Sequence, residues 1–370
     1  MLGGLRFPVE RSRGRRYPEP AHHYRNPFQR DRDRVVHARA FRRLEAKTQV
    51  FTPGLSDHFR NRLTHTIEVA QIARTVAGVL QLDQDLTEAL ALAHDIGHPP
   101  FAHAGEEELN RQMARFGDRF DHNLHALRIV ESFEQRYARF PGLNLSFEVR
   151  EGMVKHSRDF EPGEVPELDA FLPGLRPPLE AQLIDLADEI AYNTADLDDA
   201  FAAGMCTAEE VAEAVPHYRE IHETVETQFP GASARERFNE SLRELIDSLV
   251  SGFIEGTAAR AQASGASGPD DVRNLPRLAA FTPATAAATA DLKRFLFARV
   301  YSSPVLCQDR DRSTAMIAEL FGYFVEHPDR LPAPHNGLAG TEPVYRVVCD
   351  YIAGMTDSFF RRTFEQFVGA

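Results

Sequence analysis

The chain has 370 residues, 43% of them hydrophobic, and a formal net charge of −13. This composition predicts one large folded domain, or a core with a smaller appendage. No apolar run approaches 18 residues and no apolar leader stands at the N-terminus, so we expect neither a transmembrane span nor a secretory signal. The three cysteines, Cys206, Cys307 and Cys349, are far apart. They indicate reduced thiols and a cytoplasmic protein.

The charge is divided unevenly along the chain. Residues 1–62 carry 15 Lys and Arg against 6 Asp and Glu, a net charge of +9, whereas the remainder carries 27 against 49, a net charge of −22. A basic segment on an acidic body predicts contact with an anionic group. Substrate phosphates, a nucleic acid and an acidic neighbouring subunit all fit, and a simply solvated arm is the alternative.

The N-terminal third of the chain predicts an arm followed by helices. Residues 1–27, with five arginines before residue 17 and several prolines, predict an extended or partly disordered basic arm outside the core. Residues 28–50 predict a helix and residues 51–57 a loop. Apolar residues at three- and four-residue spacing then predict helices over 62–79 and 85–94.

The rest of the chain continues the helical pattern. Further helices are predicted at 104–116, 122–139, 148–156, 179–201, 207–228, 233–255, 285–300, 311–326 and 340–368. Residues 159–178 predict a long loop, and the Ala-, Ser- and Gly-rich residues 257–277 a mobile loop. Because strand-type alternation is nearly absent, the fold class is all-α. The predicted division is a catalytic core over 28–205 and a helical C-terminal region over 206–370 that packs on it.

A cluster of metal-ligand residues lies between Arg62 and Glu106. His65 falls on the apolar-flanked face of the first core helix, and the adjacent pair His94-Asp95 ends the second. Imidazole and carboxylate donors together suit a divalent cation such as Mn, Fe, Zn, Ni or Mg. The sequence therefore predicts a metal site in this region.

A polar stripe on the helix over 179–201 predicts a further ligand. Asp188 is surrounded along the helix by apolar residues, and a buried carboxylate is costly unless a cation or hydrogen-bond donors compensate it. A single such residue is often half-exposed. Here, however, Asp185, Asp188, Tyr192 and Asp196 recur at i, i+3, i+7 and i+11, which favours a helix wall that faces a site.

These residues resemble those of a known family, the HD-domain phosphohydrolases, through their H…HD…D set. The resemblance is more specific to the deoxynucleoside-triphosphate triphosphohydrolase branch, the dGTPase-like proteins. It rests on these segments, in order: Phe41-Arg-Arg-Leu44, Lys47-Thr-Gln-Val-Phe51, Arg62-Leu-Thr-His65, His94-Asp-Ile-Gly-His-Pro-Pro-Phe-Ala-His103-Ala-Gly-Glu106, Phe120-Asp-His-Asn123, Glu151-Gly-Met-Val-Lys-His156, Asp188-Glu-Ile-Ala-Tyr192 and Asp350-Tyr-Ile-Ala-Gly-Met-Thr-Asp357.

The resemblance implies an HD-domain helical core with additional C-terminal helices. It implies hydrolysis of a dNTP, dGTP or another, to deoxynucleoside and inorganic tripolyphosphate by attack of water at the α-phosphorus. His103 is implied as the catalytic imidazole and Glu106 as the residue that orients it. The metal, which is Mg, or Mn or another transition metal, is implied to be held by His65, His94, Asp95 and Asp188.

The resemblance also implies substrate contacts along the triphosphate. Arg62 is implied as a phosphate clamp, and His98 and His122 as contacts to phosphate or to the metal ligands. Lys155 and His156 are candidates for the triphosphate tail.

Contacts to the sugar are implied in the same way. Gln49 resembles the glutamine that recognises the 3′-hydroxyl, and Asp196 is a second acceptor for it. Tyr192 is implied to stack beneath the deoxyribose, where a 2′-hydroxyl would clash. One departure is His125, which stands where the family usually has glutamine; a substrate contact is predicted for it as well.

The implied partners are a dNTP substrate, a dNTP activator, single-stranded DNA and further copies of the chain in a hexamer or tetramer, with no membrane. Two alternatives remain open. One is another HD-type nucleotidase or phosphodiesterase, which would release phosphate or a linear nucleotide. The other is a nucleic-acid-binding protein with a vestigial HD core, whose affinity for single-stranded DNA would fall steeply with salt.

Overall fold

The computed structural model describes residues 2–50, 59–333 and 335–369. Within these ranges the chain is helical, and its β pairing is limited to two isolated bridges, Arg15 with Ser146 and Thr48 with Asn61. The prediction of an all-α fold is confirmed. The α-helices of the described ranges are α1 Pro27–Val36, α2 Arg39–Arg43, α3 Arg62–Leu80, α4 Gln84–Ala93, α5 Ala102–Ala114, α6 His122–Arg128, α7 Phe147–Val154, α8 Leu179–Ala202, α9 Ala208–Ala214, α10 Pro216–Gln228, α11 Ala234–Ser264, α12 Pro269–Asn274, α13 Pro283–Leu296, α14 Pro304–Glu326, α15 His335–Leu338, α16 Val344–Ala353 and α17 Asp357–Phe367.

Capping residues place the two helices that begin the core. Asn61 accepts a hydrogen bond from the Thr64 amide and starts α3, and Asp83 accepts one from Leu86 and starts α4. Both helices match the predicted spans closely. The helix predicted over 28–50 is instead divided into α1, α2 and a 3₁₀ turn, and the one over 122–139 ends in a π turn at Phe133.

Two hydrophobic clusters divide the interior. In the first, α3 packs against α4 and α8, and α8 packs against α11 and α13. In the second, α5 packs with α14, α16 and α17 around Leu109, Ile317, Val348 and Phe360. The junction between the two clusters, called the seam below, runs along the loop that joins α4 to α5. The boundaries 28–205 and 206–370 stay predictions, since the first cluster takes residues from both.

The N-terminal segment is part of the core, so the prediction of an extended arm outside it is wrong. Leu2, Leu5 and Phe7 are buried, and the Phe7 amide donates to the buried Glu180. Apolar side chains that alternate with the arginines supply this burial. The arginines meet acidic residues of the same chain: Arg15, for example, lies 2.5 Å from the carboxylate of Asp31. An acidic neighbour of the basic segment is therefore present within the chain itself.

The mobile loop predicted over 257–277 is also wrong. Helix α11 continues to Ser264, because the alanines from 258 onward favour a helix, and it ends at Gly265 in the left-handed region. Helix α12 follows, and Arg277 donates to Asp159 and Asp185. The predicted loop at 51–57 lies outside the described residues. Among those described, no helix has the length and hydropathy needed to cross a bilayer.

Candidate metal centre and active site

The end of helix α4 presents an imidazole with a defined tautomer. His94 is buried, and its Nδ1 lies 2.6 Å from the carbonyl oxygen of Ala91, to which the Nδ1–H donates. The lone pair is therefore on Nε2, which lies 3.4 Å from Asp95 Oδ1 and 3.8 Å from Asp188 Oδ1. Nε2 has no hydrogen-bond partner among the described residues. A backbone-anchored histidine with a free nitrogen is typical of metal ligands.

Helices α3 and α8 bring the other two predicted ligands to the same place. His65 Nε2 lies 2.8 Å from Asp188 Oδ1. The ligand atoms of His65, His94 and Asp95 lie within 4.8 Å of one another, as do those of His94, His156 and Asp188. The structure thus gathers all four predicted ligands, with His156 beside them. These nitrogen and oxygen donors fit a divalent cation.

The charges at this cluster suit a cation. Burial alone would raise the pKa of Asp95, but His98, His94 and Arg62 outweigh it and hold that pKa well below its usual value. The pKa of Asp188 is likewise lowered, since His65, His94 and His156 outweigh its burial. Burial lowers the pKa of His94. Ionised carboxylates and a neutral imidazole are the forms that bind metals.

The pKa of His156 is shifted in the opposite direction from that of His94. Its Nδ1 lies 2.7 Å from Asp185. Although burial opposes protonation, the hydrogen bond to Asp185 and the charges of Asp185 and Asp188 raise the pKa of His156 to about 9. Arg277 holds Asp185 from the other side. A protonated His156 beside the metal-ligand cluster would suit an anionic group.

Two glycines allow the segments of the site to approach closely. A Cβ at Gly97 would lie 2.0 Å from the carbonyl oxygen of His122, and a Cβ at Gly105 would lie 1.9 Å from that of Pro100. Because neither backbone leaves room for a side chain, the loop after α4 lies directly against α6 and α5. As a result, the rings of His98 and His122 are 3.9 Å apart.

Glu106 holds His122 more firmly than His103. One carboxylate oxygen accepts from the His122 amide at 2.9 Å and lies 2.7 Å from His122 Nδ1. The other lies 3.7 Å from His103 Nδ1, beyond hydrogen-bond distance. Burial would raise the pKa of Glu106, but the imidazoles of His103 and His122 hold it far below its usual value. The His103 side chain is 64% exposed and open to a substrate.

Six imidazoles form a continuous row from α3 to α5. Successive ring centroids are 5.9, 5.2, 6.5, 3.9 and 5.6 Å apart, in the order His65, His94, His156, His122, His98 and His103. This imidazole row crosses the seam, because it begins on helices of the first cluster and ends on α5 of the second. It is flanked by Arg62, which is buried and donates to Asp95 Oδ2 at 2.7 Å.

Residues predicted to contact a sugar border the first end of the imidazole row. The ring of Tyr192 is 6.3 Å from that of His65 and 6.0 Å from that of Tyr301. The Tyr301 hydroxyl donates to Asp196 Oδ2 at 2.5 Å. Gln49 is buried, and its Oε1 meets no donor among the described residues. Sequence reasoning missed Tyr301, since it lies 105 residues after Asp196 and no spacing connects the two.

Two predicted contacts are not brought to the imidazole row. Lys155 is buried, and its ammonium donates to Glu151 and to the carbonyl oxygens of Leu172 and Leu175, at 2.9, 2.9 and 2.7 Å. All three donors are used in these bonds, so the geometry does not support a contact to a triphosphate, which stays a prediction. His125 faces Asp350 at 3.2 Å instead of the row. Both contacts were predicted because these residues are close in sequence to residues of the site. Neighbouring residues on a helix, however, point to different faces.

Comparison with known proteins identifies the family. The profile of the HD domain matches residues 62–193, and that of the phosphohydrolase-associated domain matches residues 279–366. Proteins named deoxyguanosinetriphosphate triphosphohydrolase-like are similar over nearly the whole chain. One from Geobacter sulfurreducens is 46% identical, over 99% of this chain and 96% of its own; one from Azoarcus sp. is 45% identical, over 94% and 91%. The chain belongs to this HD-domain family.

As a member of this family, the protein is a metal-dependent phosphohydrolase. The HD match contains the four predicted metal ligands, together with His103 and Glu106. The phosphohydrolase-associated match contains Tyr301 and most of the second hydrophobic cluster. Both matched segments therefore contribute residues near the imidazole row.

Proposed function

We propose that this HD-domain protein hydrolyses deoxynucleoside triphosphates, including dGTP, to a deoxynucleoside and inorganic tripolyphosphate. The observation that carries the proposal is the imidazole row, with ionised carboxylates at its start and the exposed His103 at its end. The names of the relatives, which are 43–46% identical, support the same substrate class. An array this long suits an extended, highly charged substrate better than a single phosphate.

The metal would be held by His65, His94, Asp95 and Asp188. Magnesium, or manganese or another transition metal, would fit two imidazoles and two carboxylates. When bound, such a cation polarises a phosphoryl oxygen and lowers the pKa of a bound water. Arg62 holds Asp95 in its ionised form and keeps it in place for this role.

The cations around the cluster would bind the triphosphate. His156 is charged and buried beside Asp188, and Arg62 lies on the other side of Asp95. A guanidinium and an imidazolium in a buried site bind phosphate oxygens strongly, because little water screens them. His98 and His122, whose ring centroids are 3.9 Å apart, would line the path between these cations and His103.

His103 would transfer the proton in the reaction. An oxygen of water forms a bond to the α-phosphorus, and the bond from that phosphorus to the 5′-oxygen breaks. The imidazolium of His103 donates its proton to the departing 5′-oxygen, and the proton lost by the water passes to solvent. Glu106, whose carboxylate oxygen lies 3.7 Å from His103 Nδ1, would orient this imidazole.

The residues near α8 would select the sugar. Tyr192 would stack against the deoxyribose, and a 2′-hydroxyl would clash with its ring. Asp196 would accept a hydrogen bond from the 3′-hydroxyl, and Gln49 would form a second hydrogen bond with that hydroxyl. A buried site built for a hydroxyl leaves its polar groups unpaired when that hydroxyl is absent, so dideoxynucleotides should be rejected.

The proposal is tested by the products. Purified protein is incubated with each of the four dNTPs and with GTP, in Mn, Mg or Co, and the phosphates are separated by anion exchange. Tripolyphosphate from dNTPs, with little from GTP, is the expected result. Phosphate or pyrophosphate instead would place the protein in another class of HD phosphohydrolase. A dNTP activator, binding of single-stranded DNA and a homo-oligomer stay predictions.

A further inference from the structure

One buried carboxylate connects both sides of the seam. Asp357, the first residue of α17, accepts hydrogen bonds from the Thr48 amide at 2.8 Å and, through its other oxygen, from the Phe101 amide at 3.1 Å. The Thr48 hydroxyl donates to it as well. Thr48 precedes Gln49, and Phe101 stands two residues before His103. A single side chain thus contacts the segments that carry a predicted sugar contact and the predicted proton donor.

The backbone next to Asp357 needs external support. Phe101 has φ 62° and Ala102 has φ 56°, so two consecutive residues with side chains lie in the left-handed region. Each such residue is strained, and the conformation persists only where the surroundings hold it. This Phe101–Ala102 turn sets the direction in which α5 leaves the loop, and therefore the position of His103.

The same helix that carries Asp357 also packs on the turn. The ring of Phe360 lies edge-on to that of Phe101 at 5.1 Å, and the guanidinium of Arg361 lies 5.0 Å from the Phe101 ring centroid. On the opposite side, the buried ammonium of Lys47 donates to the carbonyl oxygens of His98 and Ala353. The loop between α4 and α5 is therefore held between residues 47–48 and the C-terminal helices.

We propose that Asp357 is a positioning residue for the reaction: by binding Thr48 and Phe101 together, it sets His103 and Gln49 relative to the metal ligands. This inference rests on the proposed function for its catalytic readout. The inference also has a structural consequence, the stabilisation of the Phe101–Ala102 turn by Asp357. This consequence does not depend on which substrate is cleaved. Asp357 does not transfer a proton or bind substrate.

The test compares Asp357→Asn with Thr356→Ala. Thr356 caps α17 through the Phe359 amide, so its removal weakens the same helix without touching the Asp357 bonds. Asp357→Asn replaces one of the two acceptor oxygens with an amide donor, so that at least one of the two backbone N–H groups loses its acceptor. We expect its kcat on dGTP to fall about tenfold or more at unchanged metal content. Its KM should change less, because the displaced His103 acts in the transition state. Thr356→Ala should lower the melting temperature and keep kcat within about twofold of the unmodified protein.

A second-site change and hydrogen exchange complete the test. In the Asp357→Asn background, Ala102→Gly should recover part of kcat, because glycine adopts a positive φ without strain. Amide exchange over residues 99–103 should rise in Asp357→Asn and not in Thr356→Ala, whatever the substrate. Unchanged exchange and unchanged kcat would overturn the positioning role. If the unmodified protein were inactive on every dNTP and exchange still rose in Asp357→Asn, the structural role would be supported and the proposed function alone would be rejected.

Discussion

The Nδ1 of His94 and the carbonyl oxygen of Ala91, on the preceding turn of the same helix, are 2.6 Å apart. This contact directs Nε2 of His94 toward Asp95 and Asp188 before any metal arrives, so little rearrangement is needed for binding. The metal centre is in this sense built into the end of α4.

His94→Ala should therefore lose metal and turnover together. We expect the metal content, measured by mass spectrometry after dialysis, to fall to background and hydrolysis to fall below detection. His217→Ala is the control, since that histidine contacts Ser248 outside the imidazole row and should keep both. Turnover that persists in metal-free His94→Ala would contradict the assigned centre.

His103→Ala should separate chemistry from metal binding. Loss of a general acid lowers kcat by about 10²- to 10⁴-fold, whereas the four ligands remain intact, so metal content should stay unchanged. The measurement is steady-state turnover of dGTP beside metal analysis, with His37→Ala as an exposed-histidine control. A kcat within about threefold of the unmodified protein would remove His103 from the proton-transfer step.

Tyr301→Phe should weaken substrate binding through Asp196. Burial raises the pKa of Asp196 to about 7, and the Tyr301 hydroxyl opposes that rise. Without the hydroxyl, this pKa rises further and the carboxyl loses its fixed orientation toward a 3′-hydroxyl. We expect KM for dGTP to rise by roughly tenfold, as for a lost hydrogen bond to a charged group.

The matched control for Tyr301→Phe is Tyr218→Phe, whose hydroxyl is buried and without a hydrogen-bond partner among the described residues. Its KM should not change. If Tyr301→Phe left KM unchanged as well, Asp196 would not be part of the sugar site.

Glu180 should make stability depend on pH. Burial raises the pKa of Glu180 from 4.5 to about 7, although the Asp83 and Phe7 amides donate to it. The folded state binds the proton more tightly than the unfolded chain, so its stabilisation is present below pH 4.5 and is lost as the pH rises through 7. From pH 5 to pH 8 the free energy of unfolding should fall by roughly 2–3 kcal/mol from this group.

Urea unfolding of the unmodified protein and of Glu180→Gln at both pH values measures the Glu180 contribution. Glutamine keeps the acceptor oxygen for both amides and cannot titrate. The free energy of unfolding of Glu180→Gln should therefore change less between the two pH values, by about that amount. Equal pH dependence in the two proteins would show that Glu180 is ionised in the folded state throughout.

The sequence was sufficient where chemistry and periodicity coincide. Helical spacing predicted α3 and α4, and the polar stripe on an apolar helix predicted that α8 faces the site. Prediction from sequence failed where contacts between distant segments determine the structure. Lys155 is consumed by carbonyl oxygens of a distant loop, and the basic N-terminal segment folds because Phe7 and its neighbours find a core. Such pairings join residues far apart in the chain, and no local pattern contains them.

The contacts that C-terminal segments make with the site were invisible in the sequence for the same reason. Tyr301 and Asp357 reach Asp196 and Phe101 from the C-terminal helices. The positive φ of Phe101 and Ala102 was equally hidden, because neither residue type favours the left-handed region. Strain of this kind shows only once the backbone is seen.

Hydrolysis of dGTP in ¹⁸O-enriched water, followed by ³¹P NMR, tests the attack at the α-phosphorus most directly. The proposal predicts tripolyphosphate as the phosphate product, with one ¹⁸O on a terminal phosphorus and unlabelled deoxyguanosine. Label in the 5′-hydroxyl of deoxyguanosine would place the attack on carbon. Labelled orthophosphate or pyrophosphate would place it on another phosphorus, and either result would contradict the proposed reaction.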